Sequence, residues 1–239
     1  MEKKKIIILL GPPGVGKGTV SQILQEKNAK FKHVSLGSVC REYALQDTDL
    51  GNLIKKTIDN GNLVSIELIE IIINQVFEDF FNSDISDFDT IILDGFPRTL
   101  PQAELFFSLM NKYLILIEFR IILFYLDNEN LKKRLVNRYI CSNVKCDKIY
   151  NISNFFDKSL ACVKCNNLLY KRKDDLAEIV LSRLDIYEKE ENAIINYFNK
   201  NNIYFTKIHA NDKINNIVDI VYQSLYLNHN LAIPFSLNR

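Results

Sequence analysis

Short apolar runs alternate along this chain with longer stretches in which apolar positions recur every three or four residues. The runs are Ile6 to Leu10, Thr90 to Leu93 and Ile121 to Leu126, and two shorter candidate strands with polar residues among the apolar ones are Phe31 to Val34 and Tyr204 to Ile208. The apolar runs, rich in β-branched residues and leucine, predict strands buried on both faces of a parallel sheet. The stretches between them read as helices: Thr19 to Lys27, a helix opened by Ser65 and running to about Phe81, one between the third and fourth strands, Asn128 to about Asn137, Asp174 to about Asn199, and Lys213 to Tyr226. Ser65 is placed as an N-cap. Strand and helix in alternation predict an α/β fold, a five-stranded parallel sheet with helices on both faces.

Two stretches depart from that alternation. Gly37 to about Asn60 is helical in character but too polar for a core helix, which suggests a small mobile lobe. Tyr139 to Lys173 carries four cysteines and interrupts the alternation of strand and helix. The expected organisation is therefore core over 1–35, a helical lobe over 36–65, core over 66–138, an inserted β-rich lid over 139–173, and core with a tail over 174–239. The tail from Asn228 carries no legible signal.

Ligands of such sheets gather at the carboxyl ends of the strands. Those ends are Gly11 to Thr19, Ser35 to Arg41, Asp94 to Arg98 and the stretch from Asp127 onward, all expected to face one crevice. The first fits the phosphate-binding pattern G-x-x-x-x-G-K, Gly11 to Lys17. Glycines suit it because backbone N–H groups must wrap the phosphate, and an inward Cβ would block that approach. Lys17 adds a charge for the β- and γ-phosphates, and the helix starting near Gly16 points its positive end at the same oxygens. The residue after the lysine is Gly18, so the hydroxyl that usually binds magnesium is displaced to Thr19.

Asp94, at the end of an apolar strand, has the placement of a carboxylate that holds magnesium directly or through water. Arg98 follows four residues later, and Arg41, Arg134, Arg138, Arg172 and Arg183 recur at or near strand ends or beside the cysteine segment. Closure of that segment would bring several guanidinium forks onto a polyphosphate. Phosphoryl transfer needs positioning and charge neutralisation more than a nucleophile. His33, His209 and His229 fall in no metal or triad pattern and read as structural.

Cys141 and Cys146 form one pair and Cys162 and Cys165 another, which is how two knuckles supply four thiolates to a tetrahedral ion. With every ligand from protein, such a zinc would be structural. It would fold a lobe with too few apolar residues to fold alone. Cys40 reads as a packed thiol.

Composition narrows the setting. Thirty basic residues against 29 acidic ones leave no global field for nucleic acid, and no apolar run reaches the length of a membrane span. With Met1 to Lys5 entering the first strand almost at once, neither a signal peptide nor a transit segment is expected. A cytoplasmic monomer is the expectation, with the mitochondrial matrix as an alternative.

The motifs GPPGVGKGT at Gly11 to Thr19, DGFPRT at Asp94 to Thr99 followed by Gln102, and YKRKDD at Tyr170 to Asp175 resemble the adenylate kinase family in its long form with a metal-binding lid. The resemblance spans Lys4 to about Tyr226. It implies a P-loop NTPase-type fold and reversible transfer of a phosphoryl group from a magnesium nucleoside triphosphate to AMP. Gly11, Pro12, Gly14, Val15, Gly16, Lys17, Gly18 and Thr19 would then hold the triphosphate with Arg134, Arg138, Arg172 and Ala210, and Arg134 would stack on its base. Arg41 and Arg98 would hold the monophosphate in a pocket that includes Ser35, Leu36, Gly37, Val64 and Gly95. Gln102 would bond its adenine, Arg183 would reach the transferring group, and Arg172 and Arg183 would also border the AMP site. Lys17, Asp94, Arg98, Arg138, Arg172 and Arg183 would be the catalytic set. The family usually reads S-T-G-D where this chain has Ser35-Leu36-Gly37-Ser38, so a hydroxyl becomes apolar and a carboxylate becomes a hydroxyl. The first cysteine pair is also two residues wider than usual.

Three other readings stay open at this point. The donor could be GTP, since the base contacts near Arg134 and Ala210 to Asp212 are backbone ones. The chain could be a nucleotide-binding regulator that has lost catalysis. Or the cysteine lobe could be a nucleic-acid ribbon using Lys145, Lys148, Lys158, Lys164 and Lys171, against which the neutral net charge speaks.

Overall fold

The computed structural model describes residues 4–84, 87–111, 117–143, 146, 148–152 and 160–225. The tail from Asn228, and Lys145 and Lys158 of the cysteine segment, lie outside the described residues.

Five parallel strands, β1 (Lys4–Leu10), β2 (Phe31–Ser35), β3 (Thr90–Asp94), β4 (Ile117–Tyr125) and β8 (Thr206–His209), lie in the order β2-β3-β1-β4-β8. The apolar runs become strands because both faces are covered. Along β1, Ile6, Ile8 and Leu10 enter one core cluster, and Ile7 and Leu9 enter the other. The first cluster packs α4 (Ile66–Asn82) and α5 (Leu100–Asn111) on the sheet through Phe77, Phe80, Phe106 and Phe107. The second packs α1 (Lys17–Lys27), α6 (Asn128–Val136) and α8 (Ile214–Ser224) on the opposite face. Full burial of each such side chain is worth about 1.5–3 kcal/mol, so the sheet is a rigid platform.

Register fixes what stands at the platform's edge. Leu9 pairs with Asp94, and Ser35 pairs with Asp94 from the other side. The phosphate loop, Ser35 and Asp94 therefore emerge at one level.

The helical lobe is α2 (Leu36–Ala44) and α3 (Asp49–Asp59). Ser35 caps α2 by accepting the Ser38 N–H at 3.3 Å, and Thr48 caps α3 by accepting the Gly51 N–H at 3.0 Å. Polar as it is, the lobe buries Leu36, Cys40 and Ile54 in the first core cluster.

The lid is a three-stranded antiparallel sheet, β5 (Arg138–Cys141), β6 (Ile149–Asn151) and β7 (Leu169–Tyr170), in the order β6-β5-β7. Among the described residues its buried core is Cys141, Cys162 and Leu169.

Element ends differ from the sequence pattern in two instructive places. β4 starts at Ile117, four residues early, because Arg120 reaches out to donate to the Ser224 carbonyl at 3.2 Å, so a polar residue sits in the strand without being stranded. The long helix α7 runs Ala177–Lys200 rather than from Asp174. Lys173–Asp175 instead makes one 3-10 turn that directs Asp174 and Asp175 inward, where both are buried.

Candidate active site

The carboxyl ends of β1, β2 and β3 open on a cavity of about 580 Å³, roofed by the lid and by α7. Every sequence-predicted nucleotide-site residue lines it except Pro12, which is buried and contributes its carbonyl instead. Of the fourth strand end, Arg134 and Arg138 reach the cavity, whereas Asp127 caps α6 by accepting the Asn130 N–H at 2.9 Å.

The phosphate loop takes its shape from left-handed backbone. Gly14 has φ +82° and Gly16 has φ +111°, values that L side chains rarely adopt, and a Cβ on Gly14 would stand 2.7 Å from Leu135 Cγ. The side of Gly16 that a Cβ would occupy is open space within 4 Å, which leaves room for an anion against the start of α1. Lys17 folds back over the loop, donating to the Gly11 carbonyl at 2.5 Å and the Pro12 carbonyl at 3.0 Å. Burial lowers its pKa to about 8; Asp94 pulls it up while Arg98, Arg138 and Arg183 push it further down. Gly18 matters for space: a Cβ there would lie 3.3 Å from Asp94 Oδ2. With glycine the carboxylate stands bare beside the loop.

Asp94 is ionised against its burial. Burial alone would raise its pKa, but the His33 ring and the charges of Lys17 and Arg98 hold it below the usual carboxylate range. His33 Nε2 is 3.6 Å from Asp94 Oδ2. Sequence reasoning set His33 aside as structural. Its signal was positional: it stands two residues before Ser35, the β2 register partner of Asp94.

On the β2 side, Arg98 Nε donates to the Gly95 carbonyl at 2.8 Å, and its backbone N–H donates to Gln102 Oε1 at 2.8 Å. Arg41 donates to Ser38 Oγ at 2.9 Å. A Cβ on Gly37 would be 3.2 Å from a terminal nitrogen of each arginine, so the two guanidinium groups close over that glycine. Leu36, Cys40 and Val64 supply apolar wall beside them.

On the β4 side, Arg134 bridges the Val15 carbonyl at 3.1 Å and the Ala210 carbonyl at 2.9 Å, tying the phosphate loop to the turn after β8. Between the two sides sits a buried acid pair that the sequence reading quoted without giving it a role. Asp175 takes Arg138 in a fork, at 2.7 and 2.5 Å, and also Arg183 at 2.9 Å. Asp174 takes Arg183 at 3.1 Å. Among the described residues Arg172 has no such partner at Nε, which is buried and without a hydrogen bond. Burial, then the charges of Arg41 and Arg138, lower its pKa to about 9. A buried cationic nitrogen left unpaired is costly, and a phosphoryl oxygen is the natural partner. The lobe is seated on this cluster from outside: Lys173 bonds Asp59 at 2.9 Å, and a Cβ on Gly61 would meet Ile179 Cγ2 at 2.6 Å.

In the lid, the sulfurs of Cys141, Cys146, Cys162 and Cys165 all lie within 4.8 Å of one another. Cys141 and Cys165 are 3.3 Å apart, Cys146 and Cys162 3.7 Å. Four thiolates around one zinc at ~2.3 Å bonds stand about 3.8 Å apart, so the donor set and its spread fit a tetrahedral metal. The wide first pair closes all the same, because Asn143 turns its N–H back onto Cys141 Sγ at 3.4 Å. Tyr150, another residue that sequence reasoning passed over, lines the cavity and touches Cys162 Sγ through its hydroxyl at 3.1 Å.

Comparison with known proteins agrees with this geometry. The adenylate kinase family profile matches residues 9–203. The chain is 38% identical over 228 residues to the adenylate kinase of Ureaplasma urealyticum serovar 10, covering 93% of this chain and 99% of that one. It is 37% identical over 204 residues to the adenylate kinase of Onion yellows phytoplasma, covering 84% and 88%. It is 30% identical over 227 residues to that of Chlamydia trachomatis serovar D, covering 92% and 89%.

Proposed function

The chain belongs to the adenylate kinase family, and from that premise we propose that it transfers a phosphoryl group reversibly from ATP to AMP, giving two ADP. The observation that carries the reading is one cavity lined by the phosphate loop together with Arg41, Arg98, Arg134, Arg138, Arg172 and Arg183. A nucleotide on each side would bring donor and acceptor phosphates together between them.

Lys17 and the loop N–H groups hold the donor phosphates, with Arg134 flat against the donor base and Arg138 beside the phosphates. Arg41 and Arg98 hold the acceptor phosphate, and Gln102 and Val64 its base. Arg172 and Arg183 meet the transferring group, Arg183 positioned by Asp174 and Asp175. Pre-set cations of this kind lower the barrier because they need no reorganisation as charge moves between oxygens. Lid and lobe exclude water, so that AMP rather than water accepts. Magnesium carried by the triphosphate would be held by phosphate oxygens and water with Asp94 in reach, and would neutralise charge at the β- and γ-phosphates. The four lid thiolates would hold a structural zinc that closes no chemistry and leaves no open position. Thiols kept as ligands suit a reducing compartment, and the cytoplasm is the proposed one. Among the described residues no helix is long and apolar enough to cross a membrane.

The deciding experiment is a coupled transfer assay with magnesium, in which ATP, GTP and other triphosphates are each paired with AMP, GMP, CMP and UMP. ATP with AMP is expected to turn over fastest. GTP in its place would reassign the donor. Binding without turnover in every pair would make the protein a nucleotide-binding regulator, its acceptor side disabled at Leu36 and Ser38.

A further inference from the structure

The lid sulfurs meet hydrogen-bond donors of two kinds. The Asn143 N–H reaches Cys141 Sγ at 3.4 Å and the Asn167 side-chain amide reaches Cys165 Sγ at 3.4 Å, each from two residues away in the chain. Such bonds belong to the knuckles themselves. The Tyr150 hydroxyl, 3.1 Å from Cys162 Sγ, comes instead from twelve residues away. A sulfur bound to a metal carries no proton, so once the site is loaded the phenol donates and the sulfur accepts.

Tyr150 belongs to a strand that walls the cavity. β6 is the edge of the lid sheet, three residues paired on one side to β5, and Ile149, Tyr150 and Asn151 all line the cavity. Side chains alternate along a strand. Ile149 faces the phosphate loop: a Cβ on Gly18, next to Lys17, would stand 3.4 Å from Ile149 Cδ1. Asn151 is the register partner of Arg138, which Asp175 holds in its fork. Between them Tyr150 turns to the other face and packs on the lid core of Cys141, Cys162 and Leu169. An edge strand so short has little pairing of its own to fix it. Its hydroxyl bond ties it to a sulfur that the metal would fix in turn.

We propose that Tyr150 is a positioning residue that couples the lid metal to the donor nucleotide: its hydroxyl on Cys162 Sγ holds β6, and with it Ile149 and Asn151, against the phosphate loop. The proposal rests on the phosphotransferase and zinc readings above. Coupling between two sites is reciprocal, so the donor nucleotide tightens the metal by the same factor as the metal tightens the donor. A zinc that only folds the lid has no need of Tyr150 for this.

Zinc affinity of the full-length protein, measured by competition with a chromophoric chelator, tests it with no nucleotide, with the β,γ-imido analogue of ATP, and with AMP. In wild type the imido analogue is expected to tighten zinc about five- to tenfold, and AMP to leave it unchanged. Tyr150→Phe keeps the ring and removes the bond. It should weaken zinc about tenfold and cut the gain from the imido analogue to about twofold or less. Cobalt-loaded wild type needs no variant: its sulfur-to-cobalt charge-transfer band should shift with the imido analogue and stay put with AMP, because the hydroxyl bond alters the electron density on Cys162 Sγ. A zinc affinity and a cobalt band both indifferent to the imido analogue would overturn the proposal, as would an equal gain from AMP or a gain that persists undiminished in Tyr150→Phe. A wild type that binds no imido analogue would bring down the phosphotransferase reading, thiols that take no zinc would bring down the metal reading, and this one falls with either. Normal binding of both without coupling brings down this one alone.

Discussion

The central sheet and the lid meet at the same cavity and are held together by different physics. The sheet alternates Ile6, Ile7, Ile8 and Leu9 between two phenylalanine- and aliphatic-rich clusters, so each face stabilises the other. In the lid, the described buried core is one leucine and two cysteines. So small a described core offsets little ordering entropy. What the sheet achieves by burial, the lid would achieve by ligation of a metal at its four thiols. The two also divide the cations: the core supplies Lys17 at the head of α1, and the lid carries Arg138 at one end and is followed by Arg172 at the other.

The sharpest way to break this contrast is to strip the metal. A four-thiolate zinc contributes about 10 kcal/mol or more to the folding of the small unit that binds it. Chelation, or Cys162→Ser, is expected to free the lid amides to hydrogen exchange while the main melting transition of the sheet stays in place. One equivalent of zinc should be found by elemental analysis of the untreated protein. Absence of metal with an unchanged lid would mean that Tyr139, Tyr150 and Leu160 pack it well enough alone.

Next in size is Lys17→Ala, which removes the core's contribution to the phosphates and leaves the lid's. Loss of one preorganised charge contact in comparable sites costs about 10²–10³ in turnover or more. The melting curve should be unchanged or improved, since a buried ammonium held at a lowered pKa is itself a strain on the fold. Near-normal turnover in this variant would contradict the assignment of the cavity.

Acidity separates Lys17 from the guanidinium groups of the acceptor side. Below pH 8 Lys17 is charged in both the folded and unfolded chain. As pH rises from about 8 toward the ordinary 10.5, the folded protein releases that proton and the unfolded chain keeps it. This group's share of stability therefore grows with pH over that window. Donor affinity moves the opposite way, falling by up to about tenfold per unit as the loop loses its charge. Acceptor affinity, which Arg41 and Arg98 would set, should stay flat between a pH of about 8 and the onset of Arg172 deprotonation at about 9. Parallel decline of both would place the titrating group elsewhere.

The core was the more legible region for the same reason that it is the more stable. Buried parallel strands leave uninterrupted apolar runs, and a phosphate loop leaves spaced glycines and a lysine, so Ile6 to Lys17 declares both its shape and its chemistry. The lid announced its ligands through cysteine spacing but not its strands, because two- and three-residue strands such as Leu169–Tyr170 carry no period. What escaped the sequence was whatever depends on a partner distant in the chain. Asp175 acquires its meaning from Arg138, 37 residues away, and His33 from Asp94 on the neighbouring strand.

The smallest effect concerns the one place where lobe and core meet with unusual chemistry. Leu36 is the first residue of α2, only 3% exposed, and it lines the acceptor side of the cavity beside Cys40. Where the family usually places threonine it offers the acceptor no hydroxyl, and Ser38 offers Arg41 a neutral oxygen at 2.9 Å where a carboxylate would compete with the phosphate for that guanidinium. The two changes oppose each other: one removes a hydrogen bond to the nucleotide, and the other leaves Arg41 freer to bind it. Leu36→Thr restores the first without touching the second. It should lower the KM for AMP by about two- to tenfold, one neutral hydrogen bond, with the KM for the donor unchanged. A variant whose AMP KM does not move would show that the Leu36 side chain serves the core packing of α2 and takes no part in choosing the acceptor.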